Sequence, residues 1–247
     1  MVWRMNTGRG LFVAISFLTR IPIRHRHEPS IGLAAPWFPA VGLLVGAIVG
    51  AAAWSVGSLT TPLVGAAVGV LLGVLVTGAF HEDGLADIAD AFVGGWNVED
   101  RLRILKDPLH GSYGVAALSG SIILRIIALG ALEPRTMFFA AVAAHCMART
   151  TALALMLTTK LARHDGLGAD YVRNLPTRKT LFSIFVAVLA CGFILQWWII
   201  GVLIASICSG AIIRWWSKRK IGGITGDVLG GAEQIAEAAI LVVLSAQ

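Results

Sequence analysis

Six long apolar runs, separated by short polar segments, occupy most of this chain. They cover residues 33–57, 61–80, 114–132, 136–159, 181–213 and 228–246. A helix needs about 20 apolar residues to cross the hydrocarbon core of a bilayer, and every run is at least of that order. Charged residues make up only 14% of the chain, whereas a typical soluble domain has about 25%. The runs predict an all-α, polytopic transmembrane bundle that forms a single domain over residues 1–247.

The run at residues 181–213 is too long for one ordinary membrane crossing. Gln196, Trp197 and Trp198 lie near its middle, and tryptophan is enriched where a protein meets the membrane–water interface. We therefore expect a turn there that divides the run into two short helices. The sequence leaves one or two crossings open, so it predicts about six or seven spans, together with short interfacial helices.

Basic residues are distributed very unevenly between the two sides of this predicted bundle. The net charge of +6 suggests nucleic acid, but 17 of the 20 Lys and Arg residues precede the first run or lie in segments 80–114, 160–180 and 214–220. Alternate loops of a membrane protein share one side, and the basic side is cytoplasmic. The pattern predicts an integral membrane protein that binds no nucleic acid and has these basic segments in the cytoplasm. Residues 1–30, which are basic around a short apolar stretch, are predicted to lie on the membrane surface.

Glycine recurs at every fourth position in each of the first two runs. These glycines are Gly42, Gly46 and Gly50 in the first run and Gly65, Gly69 and Gly73 in the second. Small residues along one face of a membrane helix let two backbones approach closely. We expect the first two spans to form a tight hairpin, although the same faces are compatible with contacts between chains in a homo-oligomer.

Acidic residues are concentrated in residues 81–113, immediately after the second run. In a helix, Asp87 and Asp90 lie roughly 40° and −20° around the axis from Asp83, so the three carboxylates share one face. Their repulsion is relieved by protonation or by a cation, and Mg²⁺ prefers carboxylate and phosphate oxygens. The alternative interpretation is a solvated acidic first turn that stabilises a helix N-terminus.

The segment after the acidic residues predicts a short amphipathic surface helix at residues 97–106, with Asn97 as its N-cap. Pro108 ends this helix, and the glycines that follow allow a tight turn whose backbone N–H groups face a phosphate. Lys106 would supply a positive charge there. Lys106 and Tyr113 are equally consistent with simple anchoring at the membrane interface.

Five ionisable residues fall inside the later runs: Arg125, His145, Arg149, Glu233 and Glu237. An arginine at membrane depth costs about 2.5–3.5 kcal/mol on insertion scales, so each of these side chains needs a partner or a wet cavity. Two interpretations remain open. Either the arginines pair with the glutamates and fix helix packing, or Arg149 faces a substrate.

Several motifs, in the same order along the chain, resemble those of the cobalamin synthase family, the adenosylcobinamide-GDP ribazoletransferases. They are FLTRIP at 17–22, WFPAVG at 37–42, HEDGLADIAD at 81–90, KD at 106–107 with GSYG at 111–114, and TGDVLG at 225–230. The likeness extends from about residue 12 to about residue 239, and the acidic block is its most specific part. Pro108-Leu109-His110 departs from the Ser-Arg-Ile form of many members, so a phosphate held by that arginine would need another cation here.

The resemblance implies an enzyme in the last steps of cobalamin biosynthesis, in a bacterial or archaeal cytoplasmic membrane. A ribose hydroxyl of α-ribazole, or of its 5′-phosphate, would attack adenosylcobinamide-GDP and release GMP, giving adenosylcobalamin or its 5′-phosphate. Mg²⁺ would be the cofactor, held by Glu82, Asp83, Asp87 and Asp90. Asp83, Asp87 and Asp90 would be catalytic, with Asp90 as a candidate proton acceptor. The implied substrate contacts are His81, Lys106, Asp107, Arg149 and Asp227.

Two other functions remain compatible with the sequence. The acidic block also resembles, more distantly, the Asp-Gly-x-x-Ala motif of the CDP-alcohol phosphotransferases, although Asp87 stands where that group has arginine. Buried charges and glycine-rich helices also suit an ion or corrinoid transporter. Because the carboxylates lie at the edge of a run and no inverted repeat is visible in the sequence, an enzyme whose site faces the cytoplasm is favoured.

Overall fold

A computed structural model describes residues 7–24, 31–163, 172 and 174–247, and most of the described chain is helical. We number the helices α1 (Thr7–Leu18), α2 (Ile31–Ala34), α3 (Phe38–Leu59), α4 (Pro62–Thr77), α5 (Phe80–Ala89), α6 (Val98–Ile104), α7 (Ser112–Gly130), α8 (Pro134–Thr158), α9 (Thr177–Leu195), α10 (Ile199–Ile221) and α11 (Gly226–Leu244). Extended pairing within these residues is limited to an isolated bridge between Leu161 and Ile224. The predicted all-α class is confirmed.

Four stretches of the described chain are long and apolar enough to cross a membrane, or five if one strongly bent pair of helices counts as a span. The four are Ile31–Leu59, Ser112–Gly130, Pro134–Thr158 and Thr177–Ile221. This number is lower than the six or seven spans that the sequence predicts. Part of the difference is α11, which carries three acidic residues, Asp227, Glu233 and Glu237. Another part is Thr177–Ile221, which counts as one stretch although the sequence allows two spans there.

The long apolar run breaks at the position predicted from its sequence. Helix α9 ends at Leu195 and α10 begins at Ile199, with a 3₁₀ turn at Gln196–Trp198 between them. Gln196 has a positive φ of 54°, a conformation that reverses the chain and that L-residues rarely adopt. The far ends of the two helices lie at the same end of the bundle, since Thr177 lines one cavity with Thr159 and Lys160, and the Ile224 N–H donates to the Lys160 carbonyl oxygen.

Helix α3 is in close contact with two other helices, and glycine permits both contacts. A Cβ atom added at Gly46 would lie 2.6 Å from the Ala141 carbonyl oxygen of α8, and one added at Gly69 would lie 2.8 Å from the Val49 carbonyl oxygen of α3. Helices α3 and α4 thus form the expected tight pair. The glycine face of α3 itself packs on α8 instead, a partner that the sequence did not predict.

The second apolar run does not continue straight into the acidic segment. Helix α4 ends at Thr77, and the axis turns by 91° before α5. Gly78 and Ala79 form the bend with positive φ angles of 67° and 58°, a combination that stops a right-handed helix. The predicted span at residues 61–80 is therefore shorter, because its last residues belong to the bend and to α5.

Helix α1 packs against this bend rather than lying fully on the surface. Val13, Ala14 and Leu18 are buried in the core. The Arg20 backbone N–H donates to the Val76 carbonyl oxygen at 2.7 Å, which occupies one of the last carbonyls of α4. Residues 1–6 and 25–30 of the predicted interfacial segment lie outside the described residues, so its placement as a whole stays a prediction.

Candidate active site

Helix α5 carries the acidic motif and runs from the interior of the bundle to one of its ends. Two residues of its first turn are buried, with His81 5% exposed and Glu82 2% exposed. Its middle packs on α11 at Gly84, where an added Cβ would lie 2.8 Å from the Asp227 carbonyl oxygen. This close crossing fixes the distance between the acidic helix and the start of α11.

Three of the side chains at this end of the bundle bring potential metal-ligand atoms together. His110 Nε2 lies 3.3 Å from an Asp83 carboxylate oxygen, and His110 Nδ1 lies 3.5 Å from an Asp87 oxygen. The ligand atoms of the three residues are all within 4.8 Å of one another. Asp83 is 62% exposed and Asp87 is 13% exposed. The group is therefore open to solvent on the Asp83 side and closed on the Asp87 side.

Asp227 approaches the same group from α11, and we call Asp83, Asp87, His110 and Asp227 the acidic cluster. The Thr225 hydroxyl donates to the Asp227 carboxylate at 3.1 Å and also caps α11 by accepting from the Val228 N–H. Burial is the largest cause that raises the pKa of Asp227, and the negative charge of Asp83 adds to it. The three carboxylates thus repel one another, as cation sites do before a cation binds.

The charge of Asp87 is the most unfavourable in the acidic cluster. Asp87 lies outside the four candidate spans, and burial together with Asp83, Asp227 and Asp90 raises its pKa to about 7. Without a cation, Asp87 therefore binds a proton at about neutral pH, and a bound cation would replace that proton.

Asp90 does not point into the acidic cluster. The α-helix widens into a π turn at Asp90–Gly94, and the Asp90 carboxylate accepts hydrogen bonds from the backbone N–H groups of Gly111 at 2.7 Å and Gly114 at 2.9 Å. A carboxylate in that position stabilises the N-terminus of α7. The two glycines matter here, because a Cβ at either position would collide with the carboxylate.

The loop that carries His110 is held at both ends. Before it, Asn97 caps α6 by accepting from the Asp100 N–H at 2.8 Å, as the sequence predicts. Asp107 then accepts from the Leu109 N–H at 3.0 Å, so this predicted substrate contact shapes the loop. Lys106 is exposed on the same loop. Because Asp90 fixes the far end, His110 is presented to α5 by a short, doubly anchored segment.

Arg163 brings a positive charge beside the acidic cluster. Its guanidinium lies 3.9 Å from the Asp227 carboxylate. The backbone before it is fixed, since the Ile224 N–H donates to Lys160 and the Ala162 N–H donates to Ile224, both at 2.9 Å. His164 and Asp165 follow in the sequence and lie outside the described residues. Arg163 is therefore a candidate for the cation that the altered 108–110 segment lacks.

Glu82 and Arg149, two predicted site residues, belong to a separate group that we call the buried charge cluster. It contains Glu82, Arg125, Arg149, Glu233 and Glu237, with His81 and His145 at its edges. Arg125 donates to Glu82 at 3.0 Å and to Glu237 at 2.9 Å. Arg149 contacts Glu233 at 2.7 Å. The interpretation in which the buried arginines pair with glutamates is the one that the structure supports.

The two histidines also contact these glutamates. His145 Nδ1 lies 3.0 Å from Glu237, whereas His81 Nδ1 is 3.9 Å from Glu233. His81, a predicted substrate contact, is thus turned toward the interior and away from the acidic cluster. His145, Glu233 and Glu237 also satisfy the distances of a metal site, but the neighbouring guanidinium groups already neutralise those carboxylates.

The helices are apolar on their exposed faces, and the acidic cluster lies at one end of the bundle. These features define a helical membrane protein with a polar site. The sequence pattern of the family described as cobalamin-5-phosphate synthase matches residues 10–245. The chain belongs to this family, whose members act in the assembly of cobalamin.

Curated relatives agree with this family over nearly the full length of the chain. A protein of Shewanella frigidimarina named adenosylcobinamide-GDP ribazoletransferase is 34% identical and covers 95% of this chain and 93% of its own. Proteins of the same name from Ralstonia pickettii and Ralstonia nicotianae are 37% and 38% identical, over 94% and 96% of this chain and 93% and 95% of their own. No solved structure shows a significant match.

Sequence reasoning did not single out His110 or Arg163 as site residues. Histidine is common in surface loops, so its presence there does not indicate a site. The contact of His110 with both Asp83 and Asp87 is what gives it a role. Arg163 lies far from Asp227 in the sequence, and its position depends on the bridge between Leu161 and Ile224. The departure of residues 108–110 from the family pattern was the available signal for both.

Proposed function

We propose that this chain joins adenosylcobinamide-GDP to α-ribazole or its 5′-phosphate and releases GMP. The name shared by its curated relatives supports this reaction. In the reaction, the oxygen of a free ribose hydroxyl of the acceptor forms a bond to the cobinamide-side phosphorus, and the bond from that phosphorus to GMP breaks. The hydroxyl proton passes to a carboxylate, and GMP leaves as a phosphate monoester.

A divalent cation, Mg²⁺ in our proposal, would be held by Asp83 and Asp87 with His110 beside them. The donor set fits, because Mg²⁺ is usually bound by one or two carboxylates together with substrate phosphates. When bound, the ion would neutralise charge on the diphosphate and on the leaving group. Glu82 and Asp90 are left out of this ligand set, since Arg125 and the α7 N-terminus already engage their oxygens.

Asp227 is our candidate for the group that accepts the hydroxyl proton, in place of Asp90. It faces the cluster from α11, and its raised pKa makes it a stronger base than an ordinary aspartate. Asp90 is less suited, because the backbone N–H groups of Gly111 and Gly114 already occupy its carboxylate oxygens. Asp87 and Asp83 would act by orienting the diphosphate for in-line attack, since positioning supplies much of the rate in phosphoryl transfer.

Arg163 and Lys106 are our candidates for the cations that contact phosphate. Arg163 reaches the acidic cluster beside Asp227, and Lys106 lies on the loop that carries His110. Arg149 is replaced in this role, because it is 2% exposed and pairs with Glu233. The basic loops favour an active site on the cytoplasmic side of the membrane.

The observation that carries this proposal is the convergence of Asp83, Asp87 and His110 at an open end of the bundle. The test uses purified protein with Mg²⁺, adenosylcobinamide-GDP and α-ribazole, and measures the formation of GMP and cobalamin. We expect Asp83→Asn to reduce turnover by at least about 100-fold while the protein remains folded, because a ligand carboxylate is lost.

The matched control is Asp100→Asn, on the exposed helix α6. Asp100 pairs with Arg103 at 2.6 Å and lies outside the acidic cluster, so this variant should retain wild-type turnover. Near-normal turnover of Asp83→Asn would exclude the acidic cluster as the catalytic site.

A further inference from the structure

Arg125 joins the acidic helix to the centre of the bundle. Its guanidinium donates to Glu82 of α5 at 3.0 Å and to Glu237 of α11 at 2.9 Å. Arg125 is 2% exposed, and neither glutamate exceeds that exposure. A planar guanidinium holds its donors in a fixed fork, so this side chain links the two helices and neutralises a carboxylate on each of them.

The rotation of α5 about its axis decides where its carboxylates point. Glu82 and Asp83 are adjacent, so their side chains leave the helix about 100° apart. With Glu82 held inward by Arg125, Asp83 is turned outward to the acidic cluster, and Asp87 follows one turn later. Because the helix is interrupted at Gly78 and Ala79, the orientation of α4 does not determine the rotation of α5.

We propose that Arg125 is a positioning residue for the reaction: by holding Glu82, it fixes the rotation of α5 that presents Asp83 and Asp87 to the cation and the diphosphate. This inference rests on the proposed function for its catalytic consequence. It adds a residue that contacts neither substrate nor cation. Arg125 lies on α7, and the four residues of the acidic cluster all lie outside that helix.

The direction in which the cation affinity changes distinguishes a positioning role of Arg125 from a purely electrostatic one. Removing a nearby positive charge should, by electrostatics alone, make a cation bind more tightly at Asp83 and Asp87. Removing a group that orients the ligands should make the cation bind more weakly. An ion pair that only stabilises packing should leave the affinity of the folded protein for a cation unchanged or raised.

The first experiment measures Mn²⁺ binding to purified Arg125→Gln protein by electron paramagnetic resonance. We expect the affinity to fall about 10–100-fold, as it does when groups that orient metal ligands are removed. Ser121→Ala is the matched control, because Ser121 is buried one turn earlier on α7 and its hydroxyl donates to Gln234 of α11. This control should bind Mn²⁺ like the wild type.

A second experiment reads the orientation of α5 without any cation. Ile88 is 1% exposed, so an Ile88→Cys variant should react slowly with a water-soluble maleimide when Arg125 is present. Combined with Arg125→Gln, it should react several-fold faster. Cys208 is replaced by serine in all samples, because it is the exposed cysteine, whereas Cys146 and Cys191 are buried.

Size-exclusion chromatography in detergent checks that each variant is folded. If Arg125→Gln does not fold, Arg125→Lys takes its place, because it keeps the charge but loses the fork, and the same faster labelling is expected. Unchanged labelling of Ile88→Cys, or Mn²⁺ affinity equal to or above that of the wild type, would overturn the positioning role. If wild-type protein binds no Mn²⁺ through Asp83, the proposed cation site fails, and the labelling result alone decides the role of Arg125.

Discussion

Gly84 offers a sharp test of whether the crossing of α5 and α11 sets up the acidic cluster. A Cβ added at Gly84 would lie 2.8 Å from the Asp227 carbonyl oxygen and 3.2 Å from the Gly230 Cα. Both neighbours are backbone atoms and cannot rotate away. Ordinary van der Waals contact begins about half an ångström further out, so Gly84→Ala must push α5 away from α11 by a similar distance.

The size of the effect follows from two opposing terms. Overpacking a well-packed interior costs about 1–3 kcal/mol, whereas replacing glycine by alanine inside a helix contributes about 1 kcal/mol of stability. We expect a net loss of up to about 2 kcal/mol in the free energy of unfolding. Turnover should fall more than stability does, by about tenfold, because catalysis is sensitive to displacements below 1 Å.

Gly120→Ala is the matched control, since an added Cβ there would meet no described atom within 4 Å. It receives the same gain in helix propensity without the clash, so its stability should rise slightly and its turnover should stay at the wild-type level. Thermal unfolding in detergent and GMP release are measured for both variants. If Gly84→Ala behaves like Gly120→Ala in both assays, α5 and α11 do not pack as described.

Two further predictions concern charge in the acidic cluster. The pKa of Asp87 is raised to about 7, so the carboxyl is protonated below that pH and a cation must displace the proton. Mn²⁺ affinity should therefore fall by up to about tenfold for each pH unit below 7 and level off above it, and Asp87→Asn should flatten this profile. Arg163→Ala should raise the KM for adenosylcobinamide-GDP about tenfold, the typical loss for a charged hydrogen bond, with Mn²⁺ affinity retained. Arg103→Ala, which removes another basic residue near the same end, should leave KM unchanged, and an equal KM in both variants would contradict a phosphate contact by Arg163.

Much of the fold follows from run length, because hydrophobic residues in sufficient number must form helices in a bilayer. Helices α7 and α8 begin and end close to the predicted runs. The bend after α4 was not predictable in this way, since the hydrophobicity of a run does not indicate where the helix axis changes direction. It depends on the left-handed conformations of Gly78 and Ala79 and on the hydrogen bond from Arg20 to Val76.

Some features of the candidate site were likewise predictable from the sequence, and others were not. The four-residue spacing of Asp83 and Asp87 predicts their shared face from local geometry alone. Asp90 would share that face in a regular helix, but the π turn and the capping of α7 turn it elsewhere. The partner of Glu82 is Arg125, on another helix, and no local pattern announces a contact between residues so far apart. Contacts within one turn were thus predictable, and contacts between helices were not.

The buried charge cluster has a consequence for how the chain enters the membrane. Its arginines lie on α7 and α8, while Glu233 and Glu237 come from α11, which is synthesised after both of these helices. An arginine unpaired in lipid costs about 2.5–3.5 kcal/mol. Arg125 can pair with Glu82 of the earlier helix α5, whereas Arg149 pairs with Glu233 of α11. We therefore expect α8 to stay near water or the insertion machinery until α11 is made, so that these two helices enter the hydrocarbon together.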